Sequence, residues 1–196
     1  KQLMPQLNNF KPFQSDNIAM GLAIFTMGLA KKILIADTMS HYVTKVYDAV
    51  DAGIEPSFLE SWVGSVGFTF QIYFDFSAYS EMAIGLALLL GLRLPVNFIS
   101  PYRARSMIEF WRSWHITLSN FLRDYVYIPL GGSRNKLIRT VFNLMSVMVV
   151  GGLWHGASWT FVIWGGIHGI ALSINHALRV LKINFHMPSI IIFPAM

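Results

Sequence analysis

The sequence contains no cysteine, so it can hold no disulfide framework, no thiolate metal site and no cysteine nucleophile. Redox compartment is left open by that absence. Charge is scarce too. Asp, Glu, Lys and Arg make up 13% of the 196 residues, about half the share of an average soluble domain. The signatures of several common mechanisms are missing: no P-loop, no Gly-x-Gly-x-x-Gly, no His-Glu-x-x-His and no Gly-x-Ser-x-Gly. Nucleotide hydrolysis, zincin chemistry and the serine-hydrolase elbow lack their sequence marks. What is present is apolar: 54% of residues are hydrophobic and the mean hydropathy is +0.49. Such a composition argues against disordered, collagen-like and ordinary soluble classes. It points to a bilayer, with room for roughly four to six spans of about 20 residues each. The chain opens on Lys1 rather than Met and closes on an apolar tail, Ser189 to Met196, and so reads as a piece of a larger protein.

The few charges are segregated. Residues 1–45 carry a net +3, residues 46–92 carry −6, residues 93–139 carry +6 and residues 140–196 carry +2. A solvated globular surface mixes its signs. Basic loops favour the cytoplasmic side of a membrane, which puts Arg93–Arg139 inside and the acidic loop Asp48–Glu60 outside. A nucleic-acid patch is a poor reading of the basic block, because Trp, Leu and Ile interrupt it.

Along the chain, Ser15-Asp16-Asn17 offers caps for a helix from about Ile18 to Lys45, with Lys31 and Lys32 awkwardly in its middle. Ser57-x-x-Glu60 is a capping box opening a second apolar helix. That stretch exceeds one span, and a break near Asp75–Ser80 is expected. A second box, Ser106-x-x-Glu109, opens the basic block's helix. Met107, Phe110, Trp111, Trp114, Leu118, Phe121 and Leu122 fall on one stripe of it. Arg105, Glu109, Arg112 and Asn120 lie opposite, as suits an interfacial amphipathic helix. Gly131-Gly132-Ser133 marks a turn. Between Arg139 and Arg179 lie 39 residues without an Asp, Glu, Lys or Arg. They fit two helices broken around Gly151–Gly156. The dipeptide Trp-His occurs twice, at 114–115 and 154–155.

His155 stands out in that uncharged stretch, where an ionisable group is expensive. Gly152-xxx-Gly156 and Gly165-xxx-Gly169 allow close helix approach, placing the histidine among helices rather than against lipid. An imidazole there is suited to act as a general base on a hydroxyl. A helix-packing histidine bonded to a carbonyl is the other reading, and both stay open at this point. His115 sits at the edge of the stripe. His168 and His176 suit core or hydrogen-bonded roles better than metal ligation; His41 and His186 show no pattern. Asp75 either orients a histidine or substrate group, or pairs with a buried Lys or Arg. On residues alone an enzyme, a transporter with an intramembrane relay, and a structural subunit of an export assembly all remain open.

Three segments carry a resemblance: QIYFDFSAYSEMAIG (71–85), LRLPVNFISPYRARSMIEFWRSWHITLSNFLRDYVYIPLGG (92–132) and GGLWHGASWTFVIWGGIHG (151–169). Together they resemble the membrane-bound O-acyltransferase (MBOAT) family, in the branch of alginate O-acetylation and teichoic-acid D-alanylation proteins. The similarity runs across roughly residues 1–180. The resemblance implies an all-α polytopic membrane protein: a partial ring of tilted helices around a funnel, with residues 1–196 as one partial acyltransferase domain whose N-terminal membrane half is absent. It implies catalytic roles for His155 (Trp-His-Gly) and His115 (Phe-Trp-Arg-x-Trp-His). Asp75, Tyr79, Trp111, Arg112, Trp114 and Trp154 are implied to line the substrate tunnel. Ser77-Ala78-Tyr79-Ser80-Glu81 departs from the family's Ser-Gly-Tyr-Ser-Asp. No bound cofactor or metal is implied; the acyl donor is expected to be acetyl-CoA or an acyl carrier protein. Expected surroundings are lipid of a bacterial inner membrane and periplasmic acetyl-transfer proteins serving an exported polysaccharide.

Overall fold

In the computed structural model, residues 3–9, 15–134 and 136–183 are described. His186 and the apolar tail from Ser189 lie outside them. Every regular element among the described residues is helical. The chain divides into two units, Lys1–Asn97 and a second starting at Phe98.

In the first unit a short helix α1 (Met4–Asn8) precedes α2 (Ser15–Lys31), which runs through a π-helical turn (Lys32–Asp37) into α3 (Thr38–Asp51). This 37-residue rod lies against α4 (Phe58–Leu89). Small residues bring the two backbones together. A Cβ on Gly21 would stand 2.8 Å from the Gly85 carbonyl oxygen, and one on Gly28 would stand 2.9 Å from that of Ala78. Further along, Val43 and Val46 of α3 fill the space left open at Gly67 and Gly64.

The capping box forms as expected: Glu60 N–H donates to Ser57 Oγ over 3.3 Å and Ser57 N–H to Glu60 Oε2 over 2.8 Å. The expected break near Asp75–Ser80 does not. Helix α4 is continuous for 32 residues, about 48 Å, well beyond a hydrocarbon core of about 30 Å. No glycine or proline lies between 75 and 80, and the acids of this stretch, Asp75 and Glu81, are matched by the lysine pair. Lys31 Nζ meets Glu81 Oε1 at 2.5 Å, and Lys32 Nζ meets both Asp37 Oδ1 and Asp75 Oδ1 at 2.7 Å. The lysines therefore do not end the helix. The π repeat brings residues five apart into line, as Lys32 and Asp37 require. Helix α4 closes with Gly91 in the left-handed region (φ 73°), its N–H on Leu88 O at 2.9 Å and that of Leu92 on Ala87 O at 2.8 Å.

The second unit overturns the single amphipathic helix. Two seven-residue helices replace it, α5 (Met107–Ser113) and α6 (Ile116–Leu122). Ser113 O accepts the N–H of Ile99 at 2.9 Å, while Ser113 Oγ donates to Glu109 O and Phe110 O. His115 then turns the chain at φ 43°. The stripe splits accordingly: Met107, Phe110, Trp114 and Leu122 are buried, but Phe121 is exposed. Its predicted polar side, Arg105, Glu109, Arg112 and Asn120, is exposed. The second capping box is half made. Glu109 N–H donates to Ser106 Oγ, but the Glu109 carboxylate accepts from Arg105 N–H at 2.7 Å, one residue further back.

A π-helical turn (Arg123–Tyr127) and the Gly131-Gly132 turn lead to α7 (Leu137–His155), and α8 (Trp159–Val180) returns against it. Asn143 Nδ2 ties α7 to that turn, donating to Leu130 O and Gly132 O at 3.1 Å each. Asn175 Oδ1 of α8 accepts the Ile108 N–H, fixing the start of α5. The predicted glycine spacing does its work here. A Cβ on Gly152 would collide with Phe161 O, and one on Gly165 with Met148 O. Four helices among the described residues are long and apolar enough to cross a membrane: Ser15–Asp51, Phe58–Leu89, Leu137–His155 and Trp159–Val180.

Candidate active site

His155 is the last residue of α7, and Gly156 leaves the helix in extended backbone. Ser158 opens α8, its Oγ accepting from Thr160 N–H. A Cβ on Gly156 would sit 2.6 Å from the Phe161 ring, so glycine there is what lets that ring lie beside His155. His155 has ring neighbours at centroid distances of 5.0 Å (Trp154), 5.5 Å (Trp164) and 6.1 Å (Phe161). The expectation that it would be packed among helices fails in part. Rings flank it, yet the side chain is exposed because it ends its helix beyond the glycine crossing.

The two Trp-His dipeptides meet. Trp154 lies 6.2 Å from His115 and 5.0 Å from His155. The chain of rings continues from His155 through Trp164 to His168 at 4.5 Å, and from His168 to Trp111 at 5.4 Å. Three histidines from three segments thus share one aromatic array. His168 is buried, at 1% exposure, which agrees with the core role expected of it. Trp164 is the member sequence reasoning missed. Its only sequence signal is its position one turn before His168 and beside Gly165, on the face turned to α7.

Among the other predicted site residues, Trp114 is a core residue rather than a tunnel wall. It is 6% exposed, stacked on Phe110 at 5.7 Å and edge-on to Phe98 at 5.0 Å. Arg112 and Trp111 line a neighbouring cavity. Asp75 and Tyr79 belong to the first unit, where Asp75 is held by Lys32 and Tyr79 is 65% exposed. The pairing reading of Asp75 is the one the geometry supports.

Burial pushes the His115 imidazole down from 6.5 to about 4, and charge on His155 acts in the same direction. His115 is therefore neutral at pH 7, able to accept a proton or orient a polar group. Between pH 6.5 and about 4 the unfolded chain binds a proton that folded His115 refuses. Stability should fall as pH drops through that window. Thermal unfolding of the purified full-length protein should show that slope, and a His115→Gln variant should show a shallower one. An unchanged slope would refute the assignment.

Comparison with known proteins decides the family. The MBOAT, membrane-bound O-acyltransferase, family model matches residues 1–194. The chain belongs to this family. Its MBOAT relatives include a peptidoglycan O-acetyltransferase of Helicobacter pylori, 48% identical over 97% of this chain and 36% of that protein. A probable alginate O-acetylase of Pseudomonas aeruginosa is 46% identical over 92% of the chain and 34% of its own length. A teichoic acid D-alanyltransferase of Streptococcus thermophilus is 40% identical over 55% of the chain and 28% of its length. The chain spans about a third of the first two relatives' length. An MBOAT chain with four candidate spans is a multi-pass membrane protein.

Proposed function

We propose that this MBOAT chain carries the histidine-bearing part of a membrane-embedded O-acetyltransferase acting on an exported polysaccharide. The convergence of His115 and His155 beside Trp154 supports this reading most directly. It joins two motifs forty residues apart at one point, among aromatic rings. His155 takes the acceptor hydroxyl proton as the oxygen attacks the thioester carbonyl, and the tetrahedral intermediate expels a thiolate that takes the proton back. The products are an ester and a free thiol. His115, neutral at pH 7, orients the acceptor or the carbonyl.

The donor is acetyl-CoA or an acyl carrier protein on the basic, cytoplasmic side of a bacterial inner membrane. The acceptor is the polymer itself or a periplasmic protein that passes acetyl to it. Relatives named for peptidoglycan and for alginate are 48% and 46% identical to this chain, which supports polysaccharide hydroxyl as the acceptor class. Full-length protein in sealed vesicles, given labelled acetyl-CoA and a soluble polysaccharide, should form ester-linked label and release coenzyme A. Movement of polymer or solute without donor consumption would reject the enzyme in favour of a transporter.

A further inference from the structure

A histidine that serves as a general base is ordinarily held in place by a third group that hydrogen-bonds its far nitrogen. His155 has no such holder. Its ring makes no hydrogen bond among the described residues. The second unit contains two acids, and both are engaged elsewhere: Glu109 accepts from Arg105 N–H, and Asp124 pairs with Arg123. The direction of the imidazole therefore depends on ring packing against Trp154, Phe161 and Trp164.

Those three rings are unequal supports. Trp154 belongs to the same helix end and is 62% exposed, and Phe161 is 39% exposed. Trp164 is half-buried and stands nearly perpendicular to the imidazole, at 81°. Trp164 also has backing. One turn further along α8, His168 lies 4.5 Å from it, and Trp111 of α5 contacts both rings, at 6.0 Å and 5.4 Å. His168 is fully buried and takes no part in the proton transfer assigned to His155. Helix α8 is pressed against α7 on either side of it. A Cβ on Gly165 would stand 2.4 Å from Met148 O, and one on Gly169 would stand 2.7 Å from Met145 Sδ. At the other flank Asn175 holds α5 through the Ile108 N–H. The His168 ring is thus fixed by backbone contacts, and it passes that fixity to Trp164.

We infer that His168 is a positioning residue for acyl transfer, its ring holding Trp164 in the orientation that directs the His155 imidazole. It touches no reactant. With the His168 ring removed, Trp164 has room to change rotamer, and the imidazole packed against it loses its fixed direction. A displacement of about 1 Å at a reacting group costs on the order of a hundredfold in rate. The effect on turnover rests on the reading of His155 as the base; the effect on the His155 ring does not.

The test pairs turnover with a ring signal that needs no substrate. Full-length protein labelled with carbon-13 at histidine Cε1 gives a resonance that His155→Gln removes, and the ring current of the adjacent indole displaces it from the free-histidine position. His168→Gln should move that resonance towards the free position and lower kcat about a hundredfold, with KM within about twofold. His168→Phe returns a ring to Trp164 and should recover most of both. Trp164→Leu removes the intermediary and should reproduce both effects, which keeps the test open should the glutamine variant fold poorly. Combining Trp164→Leu with His168→Gln should cost no more than the worse single change, because the two act in one line. An unmoved His155 resonance in His168→Gln or Trp164→Leu would overturn the inference. So would additive losses, or activity kept with glutamine and lost with phenylalanine. Wild-type protein that transfers no acetyl while its His155 resonance still responds to His168→Gln would count against the acyl-transfer reading and for the packing line from His168 to His155.

Discussion

Full-length protein carrying His155→Ala should reach the membrane at the wild-type level and lose ester-linked acetate transfer by about 10²–10⁴-fold, the range of a general base. The two halves of that expectation have separate physical origins. His155 ends α7 beyond the Gly152 crossing and is exposed, so its removal leaves the contact between α7 and α8 intact. That contact depends on backbone against backbone at Gly152 and Gly165. The loss of transfer follows from removing the imidazole assigned to take the hydroxyl proton. His155→Gln keeps the size and a hydrogen-bonding end without the basicity, and should fail equally. Normal acetylation by either variant would sink the assignment and favour a structural subunit. His115→Ala should impair transfer less, since His115 orients a reacting group and His155 moves the proton.

Helix α7, its break and its return as α8 were legible because their causes are local. An uncharged run, glycines at four-residue spacing and a serine cap all lie within the segment they shape. The same holds for the Ser57–Glu60 box. The failures have distant causes. Asp75 and Glu81 look costly within α4, but the charges that match them lie on α2 and the turn after it, Lys31 being fifty residues from Glu81. Residues 107–122 read as one helix because nothing local interrupts their stripe. The interruption comes from the amide of Ile99, which captures the Ser113 carbonyl and turns the chain at His115. The candidate site divides the same way. Its histidines could be found by cost and motif, whereas the ring array joining them arises from tertiary packing. Trp164 was invisible for that reason, and Trp114 was overvalued because a tryptophan in a motif looks alike whether it lines a tunnel or fills a core.

A Lys32→Met variant should be the most damaging single change in the first unit. Lys32 lies midway along a candidate span and holds two carboxylates, Asp37 and Asp75, at 2.7 Å each. Methionine preserves the length and apolar stem but leaves both acids uncompensated, side by side. An uncompensated Asp at the centre of a bilayer costs about 3 kcal/mol on insertion scales, which lowers the folded-to-unfolded ratio about a hundredfold. Steady-state protein in the membrane should drop several-fold or more, measured by immunoblot of the membrane fraction. Adding Asp75→Asn to Lys32→Met should recover much of the level, because one acid is removed while the amide keeps its shape. Asp75→Asn alone should be mild, since Lys32 keeps Asp37 as its partner. A double variant no better than Lys32→Met would mean that the lysine acts through its stem, and that the ion pair is not what keeps α4 continuous.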